Sequence, residues 1–147
     1  MLPRTKEEAL RQMRFIWFSF IVSIPLYIWM GENMPGISWL TFPNAGTIVI
    51  ILVVLNLLSF SWAWRKRYSP ALEAVRNQPE NIDVVRRWTN SWLIVLCNAN
   101  AVTVFGLAFR MGGKTLLQSL AFYVTGALLV LWLWPRQVSS STRMAAQ

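Results

Sequence analysis

Four apolar runs, separated by stretches rich in charge, proline and glycine, set the pattern of this chain. They cover residues 15–30, 45–64, 91–109 and 115–134, and none contains Asp, Glu, Lys or Arg. A helix needs about 20 apolar residues to cross the ~30 Å hydrocarbon core of a bilayer, and these runs have that length. The pattern predicts an all-α chain: an integral membrane four-helix bundle, one transmembrane domain over 1–147, with a loop over 65–90 and a polar, disordered tail over 138–147.

The boundaries carry local signals. Thr5 and Glu8 are spaced as a capping box, so the first helix should start ahead of its apolar run and continue into it. Pro25 lies inside that run and should bend it. Ser19 and Ser23, four apart, share a face that would let a neighbouring helix approach closely. The first loop, residues 31–44, has two prolines and two glycines, and its apolar Trp39, Leu40 and Phe42 suit a position in the outer interface, anchored by Trp29 and Trp39. Trp39 and Phe42 are the loop's candidates for contact with a partner subunit or cofactor. Asn44 should cap the second helix. Ser69, Pro70 and Glu73 read as the start of a short helix ending near Asn77, ahead of Pro79. Asn81 should cap a further helix that continues through the third apolar run, and the Gly112-Gly113 pair ends it.

Composition agrees with a membrane class. Hydrophobic residues make up 55% of the chain, charged residues only 14%, and nine residues are tryptophan, more apolar surface than a soluble domain of this size can bury. The net charge of +8 raises a nucleic-acid reading, but the placement of the cations opposes it. Twelve of the 14 Lys and Arg residues fall in the N-terminal segment, the loop over 65–90 and the tail, and only Arg110 and Lys114 fall on the other side. This positive-inside asymmetry places both termini and the central loop in the cytoplasm of an inner membrane. Arg65, Lys66, Arg67, Arg86 and Arg87 are then positioned to meet lipid head groups. The first run lacks a small-residue cleavage site, which predicts a signal anchor and not a cleaved signal peptide. Cys97 is the single cysteine, so no internal disulfide can form, and there is no histidine to serve as a haem or metal ligand or proton shuttle.

Residues 58–67, LSFSWAWRKR, match residues 128–137, LLVLWLWPRQ, and residues 23–27 lie opposite 101–105 more loosely. This predicts two helical hairpins arranged as parallel repeats about an axis along the membrane normal. Residues 100–107, NAVTVFGL, resemble the ion-carrying helix of rotary-ATPase proteolipid (c-type) subunits, and the overall layout is similar to that of small four-helix bacterial membrane proteins. The resemblance covers eight residues, and it would place the ion-binding carboxylate at Asn100, where an amide cannot exchange a proton.

The polar residues inside the runs are few. Asn56 with Ser59, and Cys97 with Asn100 and Thr103, each share a helix face, and Ser119 lies on a third; all six are candidates for interhelical contacts. Asn98 points about 200° away from Asn100 around the same helix, so a neighbour is expected on both sides of it, a partner or cofactor; failing that, its amide would reach Trp92 or a backbone carbonyl of its own helix. No ionisable residue lies between the interfaces, which opposes ion-coupled transport, and there is no Ser-His or Cys-His pair, so no enzyme is expected. The aromatic residues would suit lipid, or a carotenoid or chlorophyll-type pigment whose magnesium an asparagine ligates. Seven of the nine tryptophans, however, fall near the basic ends of the runs, as an aromatic belt does. The reading that results is a non-catalytic accessory or scaffold subunit of a larger energy-transducing or transport complex, in contact with lipids and other integral membrane subunits. The alternative is a self-associating, proteolipid-like ring or small pore.

Overall fold

The computed structural model describes residues 5–34 and 44–135. It is helical, with no strand among the described residues: α1 (Lys6–Asn33), α2 (Ala45–Ala63), a π-helical segment (Trp64–Tyr68), α3 (Ser69–Asn77), α4 (Ile82–Met111) and α5 (Leu116–Trp132). Three stretches, Lys6–Asn33, Gly46–Asn77 and Ile82–Met111, are long and apolar enough to cross a membrane. The fourth apolar run forms a shorter helix than its 20 residues promise. Thr115 caps α5 in a reciprocal box with Gln118, and the helix stops at Trp132. Pro135 disfavours helical backbone in the residue before it, which leaves 17 helical residues, about 26 Å.

Several caps match the sequence. Thr5 accepts a hydrogen bond from the Glu8 N–H at 3.2 Å, and Asn81 accepts from the N–H groups of Asp83 and Val84. Gly113 takes φ +85 in the turn after α4, a conformation that a side chain would strain. Two expectations need correction. Asn44 occupies the cap position of α2 but makes no side-chain cap bond. Ser69 does not open a new helix, because its backbone is already helical and its N–H reaches the carbonyl of Trp64 across the wide π turn. The chain therefore passes from α2 to α3 without a break. The outer-loop residues 35–43 and the tail from 136 onward lie outside the described residues.

Side-chain contacts fix the helix directions. At one end, the Trp17 indole N–H donates to the Val130 carbonyl at 2.7 Å and the Trp92 indole to the Leu133 carbonyl at 3.0 Å, while Trp64 stacks on Trp132 with centroids 4.6 Å apart. At the other end, Arg110 pairs with Glu32 at 2.7 Å. The four long elements thus alternate up and down, and Thr5 and Pro135 lie at the same end, which is also the basic end.

The helices do not pack as two hairpins. α4 is the hub: α5, α1, α2 and α3 all pack on it, whereas α1 and α2 barely touch. Of the two expected hairpins, only α4 with α5 forms a packed pair. α2, packed chiefly on α4 among the long helices, leaves Ile51, Val54, Leu55 and Leu58 facing outward. Its apolar residues surround the whole helix, so its hydrophobic pattern selects no face.

Two kinds of packing hold the bundle. At the basic end there is a conventional apolar core in which Leu10 and Met13 of α1, Val75 of α3, Val85, Trp88, Trp92 and Leu96 of α4, and Val130 and Leu133 of the last segment are buried together. Further along, the α4–α5 seam depends on small residues. A Cβ on Gly126 would lie 2.9 Å from the Thr103 backbone nitrogen, and one on Gly106 would lie 2.9 Å from the Phe122 Cβ. Such close approach is how helices associate where lipid supplies no hydrophobic drive. Ser19 and Ser23, by contrast, bond back to carbonyls of their own helix, those of Phe15 and Phe20.

Candidate functional site

Four polar side chains inside the apolar runs, Asn56, Asn98, Asn100 and Thr103, bond within the bundle itself. The Thr103 hydroxyl is fully buried and can donate to the Asn100 backbone carbonyl at 2.6 Å or to its side-chain oxygen at 3.0 Å. The Asn98 amide donates to the Ile94 carbonyl, one turn back in its own helix, at 2.8 Å. That leaves the Asn98 backbone carbonyl for the Asn56 amide, which crosses from α2 at 2.7 Å. Asn100 lies in the buried part of the bundle and Asn98 faces α2. The two sides of α4 are therefore both covered within this chain, and the opposed amides do not require a partner. Replacing Asn56 by leucine is expected to loosen α2 by about 1 kcal/mol. A denaturant titration in detergent reads this as an earlier midpoint, and an unchanged midpoint would mean that the bond does not secure α2.

The other sequence candidates separate into used and unused. Ser119 is buried and bonds the Thr115 carbonyl in its own helix. Ser59 and Cys97 are exposed, so neither takes the expected place in an interhelical contact. Cys97 sits about 60° round the helix from Asn100, just off the covered face. Trp39 and Phe42 lie outside the described residues. Arg65, Lys66, Arg67 and Arg87 are exposed, and Arg86 is half-buried, with its Nε lacking a hydrogen-bond partner among the described residues. Arg110, in place of snorkelling freely, grips Glu32 through Nε and a terminal nitrogen and also donates to the Lys114 carbonyl.

The basic end holds the most developed surface. Phe60, Trp64 and Tyr68 form a ladder at spacing four across the π segment, with centroids 6.4 and 4.6 Å apart. Trp17 meets Trp134 edge-on at 4.5 Å, and the Arg14 guanidinium lies 5.9 Å from the Trp134 ring centroid. These are among the residues expected in an aromatic belt, and in the structure they interlock with one another. The indole N–H groups of Trp17 and Trp92 donate to the carbonyls of Val130, in the last turn of α5, and of Leu133, just past it, where helix geometry leaves carbonyls short of donors. Repetition of Trp near a basic segment is visible in the sequence, but which carbonyl each indole reaches is not.

Beside this cluster, α3 and the first half of α4 enclose a groove of about 450 Å³ lined by Arg67, Pro70, Ala71, Ala74, Val84, Arg87, Asn90, Ser91 and Ile94. The lining repeats at helical spacing on both walls, 67, 70, 71 and 74 facing 84, 87, 91 and 94, so one face of each helix builds it. Arg67 is also held 5.5 Å from the Trp62 ring centroid. Sequence reasoning found the two arginines but missed the groove, because the break expected at Ser69 hid the continuous helix that forms its outer wall.

Neither models of protein families, nor characterised proteins, nor solved structures match this chain. Kinship with rotary proteolipids gains no support from them.

Proposed function

We propose that the chain is a non-catalytic accessory or scaffold subunit of a larger inner-membrane assembly that transduces energy or moves solutes, inserted with both termini in the cytoplasm. The observation that carries this reading is the division of its surfaces. Asn98, Asn100 and Thr103 of α4 are engaged within the chain, while α2 presents a long apolar wall, including Ile51, Leu55 and Leu58, that no described helix covers. Such a body can pack and orient neighbours but offers no chain of ionisable groups through the apolar runs. The orientation is supported by the basic residues gathered at the end where Thr5 and Pro135 lie.

The alternative of a ring or pore built from copies of this chain would use Asn100 and Thr103 at the contact. Those side chains are 7% and 0% exposed, so copies would have to open the α4–α5 seam to share them.

Gentle detergent extraction followed by native mass analysis tests the proposal on the intact assembly. The expected result is a hetero-complex that contains this chain. Replacing Leu55 and Leu58 on the α2 wall by alanine should reduce recovery of the partner without unfolding the chain. A stable homo-oligomer without other subunits would overturn the reading. In the same membranes, a cysteine at Glu80 (in a Cys97→Ser background) should react with an impermeant thiol reagent only from the cytoplasmic side, and labelling from the other side would reverse the orientation.

A further inference from the structure

We infer that the groove between α3 and α4 is a binding site for one anionic phospholipid, with its phosphate between Arg67 and Arg87 and the start of an acyl chain along Ile94. The inference rests on the placement of the chain in a bilayer proposed above, not on the identity of any partner subunit.

Three observations converge. The first is the gradient along the groove. On α4, Arg87 stands one turn before Ser91, where the apolar run begins, and Ile94 stands nearly one turn inside it. At 1.5 Å per residue this places a cation, then hydroxyl and amide groups from Ser91 and Asn90, then apolar side chains within about 10 Å. A glycerophospholipid has the same order of phosphate, ester and hydrocarbon.

The second is charge. Arg67 and Arg87 approach the groove from opposite walls, and neither has an ion-pair partner among the described residues. Two guanidinium groups on one polar pocket leave an uncompensated positive field that suits a phosphate, and arginine can bind phosphate oxygens through two parallel bonds. The third is depth. The stacking of Arg67 over Trp62 fixes that guanidinium at the aromatic belt, the level of the head groups. A volume of about 450 Å³ is in the range of small-molecule pockets and suits a head group with part of one chain.

The site distinguishes a lipid from a general attraction of the basic loop for anionic membranes. Arg65 and Lys66 are exposed neighbours outside the groove, so they contribute only to the diffuse attraction.

Titration of the purified chain in detergent with phosphatidylglycerol, followed by native mass spectrometry, should show one retained lipid, and phosphatidylcholine should compete poorly. Arg67→Gln and Arg87→Gln are each expected to weaken retention about ten-fold, the effect of losing one charge-assisted contact. The Arg65→Gln/Lys66→Gln double variant removes more charge outside the groove and should retain the lipid. Ala74→Phe fills the groove without changing charge and should also abolish retention, while circular dichroism confirms that the helices persist. Equal losses in the groove variants and the Arg65/Lys66 variant would overturn the assignment in favour of diffuse attraction. If inorganic phosphate alone displaced the phospholipid at matched concentration, the site would belong to a free anion. No retained lipid in the unaltered protein would also overturn it, and would leave the accessory-subunit reading to its own co-purification test.

Discussion

Gly126→Leu is expected to separate the last two helices and to be the most damaging single change in the seam. Gly126 lets α5 lie against the backbone of α4: even a methyl group there would stand 2.9 Å from the Thr103 nitrogen, and backbone cannot turn aside as a side chain can. Leucine must push the helices apart. That would expose Thr103 and Asn100 and remove contacts around Gly106 and Tyr123, all now buried. Overpacking of a tight core costs about 1–3 kcal/mol, and forcing apart a helix pair belongs at the upper end of that range. The measurement is a denaturant titration of the purified protein in detergent, followed by far-ultraviolet circular dichroism. Gly46→Ala is the control. Its added methyl would meet the Phe109 ring edge at 3.4 Å and the Lys114 side chain at 3.7 Å, both ordinary contacts, so it should be neutral or slightly stabilising. If Gly126→Leu unfolds at the same midpoint as the parent, α4 and α5 do not pack along this seam.

Trp92→Ala should be comparably severe, for a different reason. The ring is 1% exposed and sits in the apolar core at the basic end, where α1, α3, α4 and the end of α5 converge. Truncating a buried tryptophan typically costs about 3–5 kcal/mol, because the cavity left behind collapses only in part. The change would also leave the Leu133 carbonyl without its indole donor. Trp92→Phe separates the two effects. It keeps most of the volume and loses the hydrogen bond, with an expected cost of about 1 kcal/mol. If alanine and phenylalanine cost the same, the hydrogen bond and not the packing holds α5 at this end. Both variants should lower the thermal midpoint in detergent, alanine by far the more.

Much of the fold could be read from the residues, for reasons that are local. Long runs without charge demand helices, since an apolar setting leaves backbone groups no other partner. Thr5 and Asn81 act as caps because a side-chain oxygen two or three residues before a free N–H can reach it whatever the rest of the chain does. The reading failed where a neighbour decides. Asn44 has the right residue type in the right place, yet it does not cap. Ser69 with Pro70 looks like a helix start, but the helix arriving from α2 absorbs both through one wide turn. The Glu32–Arg110 pair joins residues that are 78 positions apart, and nothing in either residue's local context identifies the other.

The candidate site shows the same division. Arg67 and Arg87 were legible as basic residues near an interface, but their common groove exists only because α3 folds back along α4. The asparagines were legible as costly polar groups, and the opposite faces of Asn98 and Asn100 followed from helix geometry alone. Reading a partner from them assumed a bundle with one interior; the alternative, an Asn98 bond to a carbonyl of its own helix, is the one the structure shows. In the structure α4 has chain on both sides, so Asn98 faces α2 and Asn100 is buried in the bundle.

Taken by itself, the sequence determines the helical class, the lengths of the apolar runs, most of the helix ends and the concentration of charge at one end, because each depends on composition and spacing within a few turns. It leaves open which helix is central. α2 is apolar on every side, and in a lipid-like environment hydrophobicity does not prefer one face over another. The choice then falls to close packing at Gly106 and Gly126, to single bonds such as Asn56 to the Asn98 carbonyl, and to the tryptophan core at the basic end. Each of these requires two distant segments to be in place together, so only the tertiary structure decides it.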